Sequence, residues 1–183
     1  MQSKPLLQTT EQNLIRLPDR PIRIGIFISG GLDSALLYHF LKLANVDNKH
    51  TIVPITVIKN NQTLNFVRSV LNFYGYSNDP VVLEGPINRA VVESYNLRFD
   101  RVYLGTIKEL PEFLQGWNST TYPETKFFRT PFKDFDKSQI VKIIVEEKLN
   151  RLFEITHSCA VNELGRCETC NRCKERKWAF DRL

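Results

Sequence analysis

The most constraining feature of the sequence is a short apolar run that ends in a glycine turn and leads into an amphipathic segment. Residues 22–28 (IRIGIFI) are apolar and rich in isoleucine, which is typical of a buried parallel strand. The turn contains Gly30 and Gly31. Apolar residues then recur at helical spacing, at Leu36, Leu37, Phe40, Leu41 and Ala44. This order predicts a buried strand that enters a helix through a tight turn.

The alternation of strands and helices continues beyond this first unit. Further strands are predicted at residues 51–58, 81–83 and 101–104, and further helices at residues 64–74 and 87–97. A later helix begins at Asp136, where Gln139 completes a capping-box pattern. Its apolar stripe consists of Ile140, Ile143, Ile144 and Leu149. A short helix ends the chain. The order predicts an α/β fold of the Rossmann-like type, with a mainly parallel sheet covered on both faces.

The length of 183 residues is that of one domain. Residues 1–20 are polar and weakly periodic, so they are predicted to form an N-terminal arm. The catalytic domain is predicted over residues 21–157, and residues 158–183 are predicted to be a metal-binding segment of the same domain. Residues 106–131 lack a regular pattern, which predicts a long connection of the kind that is often functional.

Composition and cysteine usage exclude several classes of protein. No apolar run reaches the roughly 20 residues that a membrane span needs, and the first residues lack a signal-peptide pattern. A cytoplasmic protein without a membrane partner is therefore expected. All four cysteines lie in the last 25 residues, and in a reducing compartment this favours metal binding over disulfides.

The chain is basic, with a formal net charge of +5. Six cations lie near the C-terminus: Arg166, Arg172, Lys174, Arg176, Lys177 and Arg182. Such an excess can attract nucleic acid or other polyanions. No aromatic ladder or nucleic-acid motif accompanies it, so direct nucleic-acid binding is left open and a solvated helix face is favoured.

The hexapeptide Ser29-Gly30-Gly31-Leu32-Asp33-Ser34 has the features of a phosphate-binding turn. Backbone amides at the start of a helix carry partial positive charge, and the glycines allow a ligand to approach the backbone. The hydroxyls of Ser29 and Ser34 can add hydrogen bonds to phosphate oxygens. Asp33 is predicted either to hold Mg²⁺ or to cap the helix. No G-x-x-x-x-G-K-[ST] motif occurs, so cleavage of a γ-phosphate in a P-loop is unsupported.

A second candidate for the nucleotide site is Gly105, which follows the predicted strand at residues 101–104. Open α/β sheets bind ligands at the carboxyl ends of their strands. Gly105 either lets the backbone approach adenosine or simply ends the strand.

Cys159, Cys167, Cys170 and Cys173 have the spacing C-x7-C-x2-C-x2-C. Short loops of this kind bring four thiolates together around one tetrahedral ion, which predicts a structural zinc site. An iron–sulfur cluster and redox-active thiols are the alternatives. His157 is surplus to four thiolates, so it is predicted to be a pocket or surface residue.

The turn SGGLDS resembles the SGGxDS signature of the PP-loop, or N-type, ATP pyrophosphatases. The resemblance implies an adenine nucleotide alpha hydrolase-like (HUP) fold and an enzyme that splits ATP into AMP and pyrophosphate while it adenylates an acceptor. It implies ATP and Mg²⁺ as cofactors. Ser29, Asp33 and Ser34 would be catalytic, and residues 29–34 together with Gly105 would bind the nucleotide.

From Thr130 onward the sequence is similar to the C-terminal half of the 7-cyano-7-deazaguanine synthases, which make a nitrile-bearing precursor of queuosine and archaeosine. The similar segments are TPFKDFDKSQIVKIIVEE and THSCAVNELGRCETCNRCKERKWAF, and they include Pro131, Lys137, Ser158 and the four cysteines. The resemblance implies a ligase that uses ammonia to convert a 7-deazaguanine carboxylate to an amide and then to a nitrile.

Two segments depart from the pattern of these synthases. Residues 57–66 read VIKNNQTLNF in place of a YGQRH-like segment, and residues 110–117 read LPEFLQGW in place of a DYSGYPDCR-like loop. The acceptor can therefore differ while the adenylating chemistry persists. The alternatives are a PP-loop tRNA-modifying enzyme and a degenerate nucleotide-binding module. The oligomeric state is left open, with a homodimer among the options.

Overall fold

Strands and helices alternate along the chain, as the sequence pattern predicts. The computed structural model describes residues 14–58, 62–110, 113, 122 and 124–183. The strands are β1 (Arg23–Phe27), β2 (Thr51–Val57), β3 (Val81–Leu83), β4 (Arg101–Leu104) and β5 (Phe128–Arg129). The helices are α1 (Leu32–Ala44), α2 (Thr63–Phe73), α3 (Ile87–Glu93), α4 (Lys137–Glu146), α5 (Leu152–Ile155) and α6 (Asn171–Phe180).

The five strands form one parallel sheet in the order β3-β2-β1-β4-β5. β1 lies in the middle, where Ile26 is in register with Pro54 of β2 and Tyr103 of β4. The chain moves from β1 to one side of the sheet and later returns to the other side. Open α/β sheets bind ligands where the strand order reverses, outside the carboxyl ends of the strands. This topology sets the glycine turn after β1 and Gly105 after β4 side by side.

Apolar side chains cover both faces of the sheet. Ile24 and Ile26 of β1 are fully buried on one face, in a core that includes side chains of α1, α4 and α6. Phe27 belongs to the core of the other face, with Ala90 and Val91 of α3. Because consecutive residues of a strand point to opposite faces, a strand covered on both sides is apolar throughout. The predicted Rossmann-like architecture is confirmed.

Three predicted element boundaries are wrong. The region 106–131, predicted to be irregular, contains β5, whose Phe128 pairs with Val102. Two residues are too few to show a periodic pattern. The predicted helix 87–97 is α3 followed by a 3₁₀ turn at Ser94–Leu97, and Arg98 beyond it is left-handed with φ of 54°. Leu149 lies beyond the end of α4, although it packs against the core.

The described part of the predicted N-terminal arm packs on the domain. Ile15 is only 7% exposed and belongs to the larger core, together with the partly buried Leu14 and Leu17. At the other end, Ala179 of α6 is fully buried in the same core. Both ends of the described chain therefore contribute to one hydrophobic core. Within the described residues, no helix combines the length and the apolar character needed to cross a bilayer.

Candidate active site

The glycine turn after β1 is held together by its own serines. Ser29 donates its backbone N–H to the Ser34 Oγ at 3.2 Å, and the Ser34 hydroxyl donates to the Gly31 carbonyl at 3.1 Å. The Gly31 amide donates to the Ser29 Oγ at 3.3 Å. Gly30 has φ of +76°, which favours glycine. Both serines therefore fix the shape of the turn, and their predicted contacts to phosphate stay predictions.

The start of α1 is open to an anion. Its N-cap residue is Gly31, and no side chain caps the helix. Uncapped amides at a helix N-terminus carry partial positive charge and bind phosphate groups readily. The alternative prediction that Asp33 caps the helix is wrong, because Asp33 lies in the first turn and its carboxylate is engaged elsewhere.

Asp33 forms a partly buried ion pair with Lys137. The Lys137 Nζ donates to both carboxylate oxygens, at 2.6 and 2.5 Å, and the side chains of Lys137 and Asp33 are only 6% and 20% exposed. The two residues are 104 positions apart. Lys137 stands out in the sequence only through the resemblance described above, since a lone lysine next to an aspartate is an ordinary helix start.

A capping box fixes the position of Lys137 at the start of α4. The Asp136 carboxylate accepts hydrogen bonds from the amides of Ser138 and Gln139, and the Gln139 side chain accepts from the Asp136 amide. The capping box predicted from the sequence is thus confirmed. It orients the first turn of α4 so that its lysine reaches the glycine turn.

Gly105 allows β4 to end directly against α1. A Cβ at this position would lie 3.0 Å from both the Cα and the backbone N of Ser34. These are backbone atoms that cannot move aside, so a larger residue would push the strand away from the glycine turn. Close packing is sufficient reason for a glycine here, and the approach of Gly105 to adenosine stays a prediction.

The four predicted cysteines come together. Their Sγ atoms all lie within 4.8 Å of one another, with Cys159 and Cys170 3.9 Å apart. The Asn162 amide donates to the Cys159 Sγ at 3.1 Å, and the Cys170 amide donates to the Cys167 Sγ at 3.2 Å. Hydrogen bonds from Thr169 and from the Cys170 amide lower the pKa of Cys167 to about 6, while burial raises the pKa of Cys173 to about 12. Four thiolates this close need a cation between them, so the donor set fits a metal ion.

His157 connects the cysteine cluster to the glycine turn. Its amide donates to the Gly30 carbonyl at 2.9 Å, and its ring stacks on Phe66 with centroids 4.4 Å apart. The Nε2 atom lies 2.8 Å from the carbonyl oxygen of Asn162, within the cysteine loop. The residue predicted to be surplus to the metal site thus lies between that site and the turn.

A cavity of about 380 Å³ opens beside the cysteine cluster. Its walls are formed by Glu109, Phe113, Ala160, Val161, Cys170, Asn171, Arg172 and Glu175. The Arg172 Nη2 donates to the Glu109 Oε1 at 2.7 Å. Glu175 is close enough to Lys137 and Asp33 for their charges to affect its pKa, which burial raises. Glu175 thus lies within range of the charges of the ion pair at the glycine turn.

The basic C-terminal residues do not all lie on a solvated face, contrary to the favoured interpretation. Arg176 is only 3% exposed and donates to the carbonyl of Phe153 at 2.7 Å. Burial lowers the pKa of Arg176 to about 10. Arg172 is ion-paired to Glu109, whereas Lys174 and Lys177 are exposed. Around α6, the buried Arg176 is thus separated from the exposed Arg172, Lys174 and Lys177.

One protein family matches the sequence, over residues 109–183. It is the family of queuosine biosynthesis protein QueC. The matched part contains Lys137 and all four cysteines but not the glycine turn, and it is less than half of the 183 residues. No curated protein matches the sequence. The resemblance to QueC predicted from the C-terminal segments is thus confirmed.

Two solved structures are similar to this chain. The U34-tRNA thiolase NcsA from Methanococcus maripaludis, solved with its [4Fe-4S] cluster, is 15% identical, with a TM-score of 0.54 over 96% of this chain and 70% of that chain. The NH3-dependent NAD synthetase from Campylobacter jejuni is 18% identical, with a TM-score of 0.47 over 71% of this chain and 66% of that chain. The likeness to NcsA shows a shared fold, and the QueC match supports the resemblance to PP-loop enzymes, which use ATP.

The two segments that depart from the pattern of the synthases fall partly outside the described residues. Residues 59–61 of the first segment and residues 111–112 and 114–117 of the second belong to this undescribed part. Phe66, at the end of the first segment, stacks on His157, and Phe113 lines the cavity. Both segments thus contribute an aromatic residue near the candidate site.

Proposed function

We propose that this protein is a PP-loop enzyme that adenylates an acceptor. A carboxylate oxygen of the acceptor attacks the α-phosphorus of ATP, the bond to the β-phosphate breaks, and pyrophosphate leaves. The observation that carries the proposal is the uncapped glycine turn at the point where the strand order reverses, with Asp33 and Lys137 paired beside it. Amides and a cation at this place would stabilise the charge that develops on the departing pyrophosphate.

The residues of the turn have distinct roles in this proposal. The amides at the start of α1 and the hydroxyls of Ser29 and Ser34 bind the phosphates. The carboxylate of Asp33 is a ligand of the type that Mg²⁺ prefers, and Mg²⁺ bound there would offset phosphate charge. Lys137 is the cation paired with this carboxylate, so its ammonium group is available to a phosphate oxygen once the carboxylate binds a metal.

The acceptor in this proposal is a 7-deazaguanine-type carboxylate, and ammonia is the second substrate. Ammonia attacks the acyl-adenylate, which releases AMP and leaves an amide. The amide oxygen then attacks the α-phosphorus of a second ATP, which releases pyrophosphate, and loss of AMP and of both N–H protons yields the nitrile. The QueC match over residues 109–183 supports this chemistry. The altered segments at residues 57–66 and 110–117 are the reason to test related acceptors as well.

We assign zinc to the cysteine cluster as part of the proposal. Thiolates that bind one zinc ion at about 2.3 Å in a tetrahedron lie close together. A [4Fe–4S] cluster, as named for NcsA, places four irons and four sulfides between its thiolates and holds them further apart. Sγ atoms within 4.8 Å of one another therefore favour a single ion. Cysteines that bind a metal ion instead of forming disulfides are expected in a reducing compartment such as the cytoplasm.

The proposal is tested by the formation of AMP. Purified protein is incubated with ATP, ammonium and 7-carboxy-7-deazaguanine or related carboxylates, and AMP, amide and nitrile are measured by mass spectrometry. Asp33→Asn and Lys137→Gln should each lower AMP formation by about 100-fold or more, because each removes an electrostatic contact to the reacting phosphates. The matched control is Asp134→Asn, at an exposed position two residues before the capping box.

The outcomes separate the candidate functions. AMP formation with another carboxylate, but not with the deazaguanine, would support adenylation and show that the acceptor is a different molecule. Binding of ATP without AMP formation for any carboxylate would reject adenylation and indicate a nucleotide-binding module. If Asp33→Asn forms AMP at the wild-type rate, the glycine turn is not the site that binds the reacting phosphates.

A PP-loop tRNA-modifying enzyme is the second candidate, and the exposed basic face of α6 favours it. Lys174 and Lys177 are exposed there, and Arg182 lies over the Trp178 ring at 4.4 Å. Affinity for tRNA that decreases steeply with salt would support this candidate.

A further inference from the structure

In the wall of the cavity beside the cysteine cluster, one oxygen of a buried carboxylate has no hydrogen-bond donor in the described part of the chain. Glu175 lines this cavity and is only 2% exposed. Among the described residues, its Oε2 atom has no hydrogen-bond partner. The Arg172 Nη1 lies 3.6 Å from this oxygen, beyond the usual hydrogen-bond distance. A buried acceptor without a donor is costly, so such groups call for an explanation.

The fold holds Glu175 in this position. It lies two residues after Cys173 on α6, and α6 packs its Ala179 into the main core. Arg172, three residues earlier, donates its Nη2 to Glu109 at 2.7 Å, while its Nη1 forms only a longer ion pair of 3.6 Å with the Glu175 Oε2. The carboxylate is thus fixed at the wall of the cavity, next to an arginine whose hydrogen bond goes to Glu109.

The remaining walls suit a flat, small ligand. Phe113 offers an aromatic ring, and Ala160 and Val161 add apolar surface. A volume of about 380 Å³ falls within the range of sites for small molecules. A mostly apolar cavity with one buried carboxylate resembles the general design of ligand sites, in which a few polar groups set specificity.

We propose that this cavity is the acceptor site, and that Glu175 recognises a planar heterocycle through a pair of adjacent N–H groups. A carboxylate accepts two parallel hydrogen bonds, and an amidine-like edge, such as the N1–H and 2-amino group of a guanine-type ring, supplies two donors in that geometry. Glu175 is then a specificity-determining residue. The inference rests on the proposed adenylation for the identity of the bound molecule as acceptor, but the recognition itself can be measured by binding alone.

The test compares two bases that differ in one donor. 7-Deazaguanine has the exocyclic 2-amino group, and 7-deazahypoxanthine lacks it. Calorimetry with the zinc-loaded full chain should show that 7-deazaguanine binds about tenfold more tightly or better, because its analogue leaves one carboxylate oxygen unpaired. Glu175→Gln should reduce this preference to about twofold or less, since the glutamine amide can accept only one of the two hydrogen bonds. Glu163→Gln, at an exposed position outside the cavity, should keep it.

Each result decides the inference. No binding of 7-deazaguanine to the wild-type protein, equal affinity for the two bases, or an unchanged preference in Glu175→Gln would overturn it. If Glu175→Gln fails to fold or to retain zinc, Glu175→Asp replaces it. The shorter carboxylate should weaken binding of 7-deazaguanine by about tenfold while the preference persists, and unchanged affinity would overturn the inference.

The same measurements distinguish this inference from the proposed function. A wild-type protein that prefers 7-deazaguanine but forms no AMP with any carboxylate would contradict adenylation and leave the recognition by Glu175 intact. A protein that forms AMP but binds both bases equally would support adenylation and contradict the recognition by Glu175.

Discussion

Gly30 has two separate reasons to be a glycine. Its φ of +76° lies in the left-handed region, and a Cβ there would lie 2.7 Å from the Cβ of Phe66. The sequence predicted a glycine for turning and for ligand approach, but the contact with α2 could not be predicted because it depends on how that helix packs. Phe66 in turn stacks on His157, so three distant segments meet at this turn.

The two reasons can be separated by substitution. Gly30→Ala should lower the free energy of unfolding by about 2 kcal/mol or more, from left-handed strain of about 1 kcal/mol together with overpacking against Phe66. Gly75→Ala is the matched control, because Gly75 also has a positive φ, of +71°, but has no neighbouring atom within 4 Å of its Cβ position. Urea denaturation of both variants measures the difference. Equal decreases in the free energy of unfolding of the two variants would show that Phe66 accommodates the added Cβ without a cost in stability.

At the scale of single elements, α4 matters because it delivers Lys137 to the glycine turn. Its capping box was predictable, since Asp136 and Gln139 have the required spacing and chemistry. The partner of Lys137 was not predictable, because local spacing carries no information about a residue 104 positions away. β5 could not be predicted for a different reason: its two residues form a strand only because β4 offers a free edge.

Loss of the cap should affect both stability and activity. Asp136→Ala removes the hydrogen bonds to the amides of Ser138 and Gln139, which should lower the free energy of unfolding by about 1 kcal/mol. AMP formation should decrease as well, because the first turn of α4 no longer holds Lys137 against Asp33. Asp134→Ala, at an exposed position, is the control. Urea denaturation and AMP assays that give the same values for both variants would contradict this role of the cap.

At the scale of the whole molecule, the cysteine cluster lies between the glycine turn and the C-terminal helix α6. His157, two residues before Cys159, donates its backbone N–H to the Gly30 carbonyl. The helix that follows Cys170 packs into the main core. A metal ion in the cluster would therefore support the glycine turn as well as the local loops. Metal binding of this kind contributes directly to folding free energy.

Removal of the metal should destabilise the protein and weaken nucleotide binding together. Metal analysis should find one zinc ion per chain, and chelation should lower the melting temperature by about 5 °C or more, which for a chain of this size corresponds to roughly 2 kcal/mol. The affinity for ATP should decrease in parallel, because the contact of His157 with Gly30 loses its anchor. Added zinc should restore both properties. Demetallated protein with an unchanged melting temperature would contradict this structural role, and iron with sulfide in the purified protein would contradict the choice of zinc.

The sequence by itself determined the parallel α/β architecture, the glycine turn after the first strand and the grouping of the four cysteines. These features depend on local periodicity and on short spacings, which constrain the backbone directly. Tertiary structure alone decided that Lys137 pairs with Asp33, that His157 joins the cysteine loop to the turn, and that Glu175 and Arg176 are buried. Those contacts join residues far apart in the chain or select one side of a helix, and only the packing of complete elements determines them.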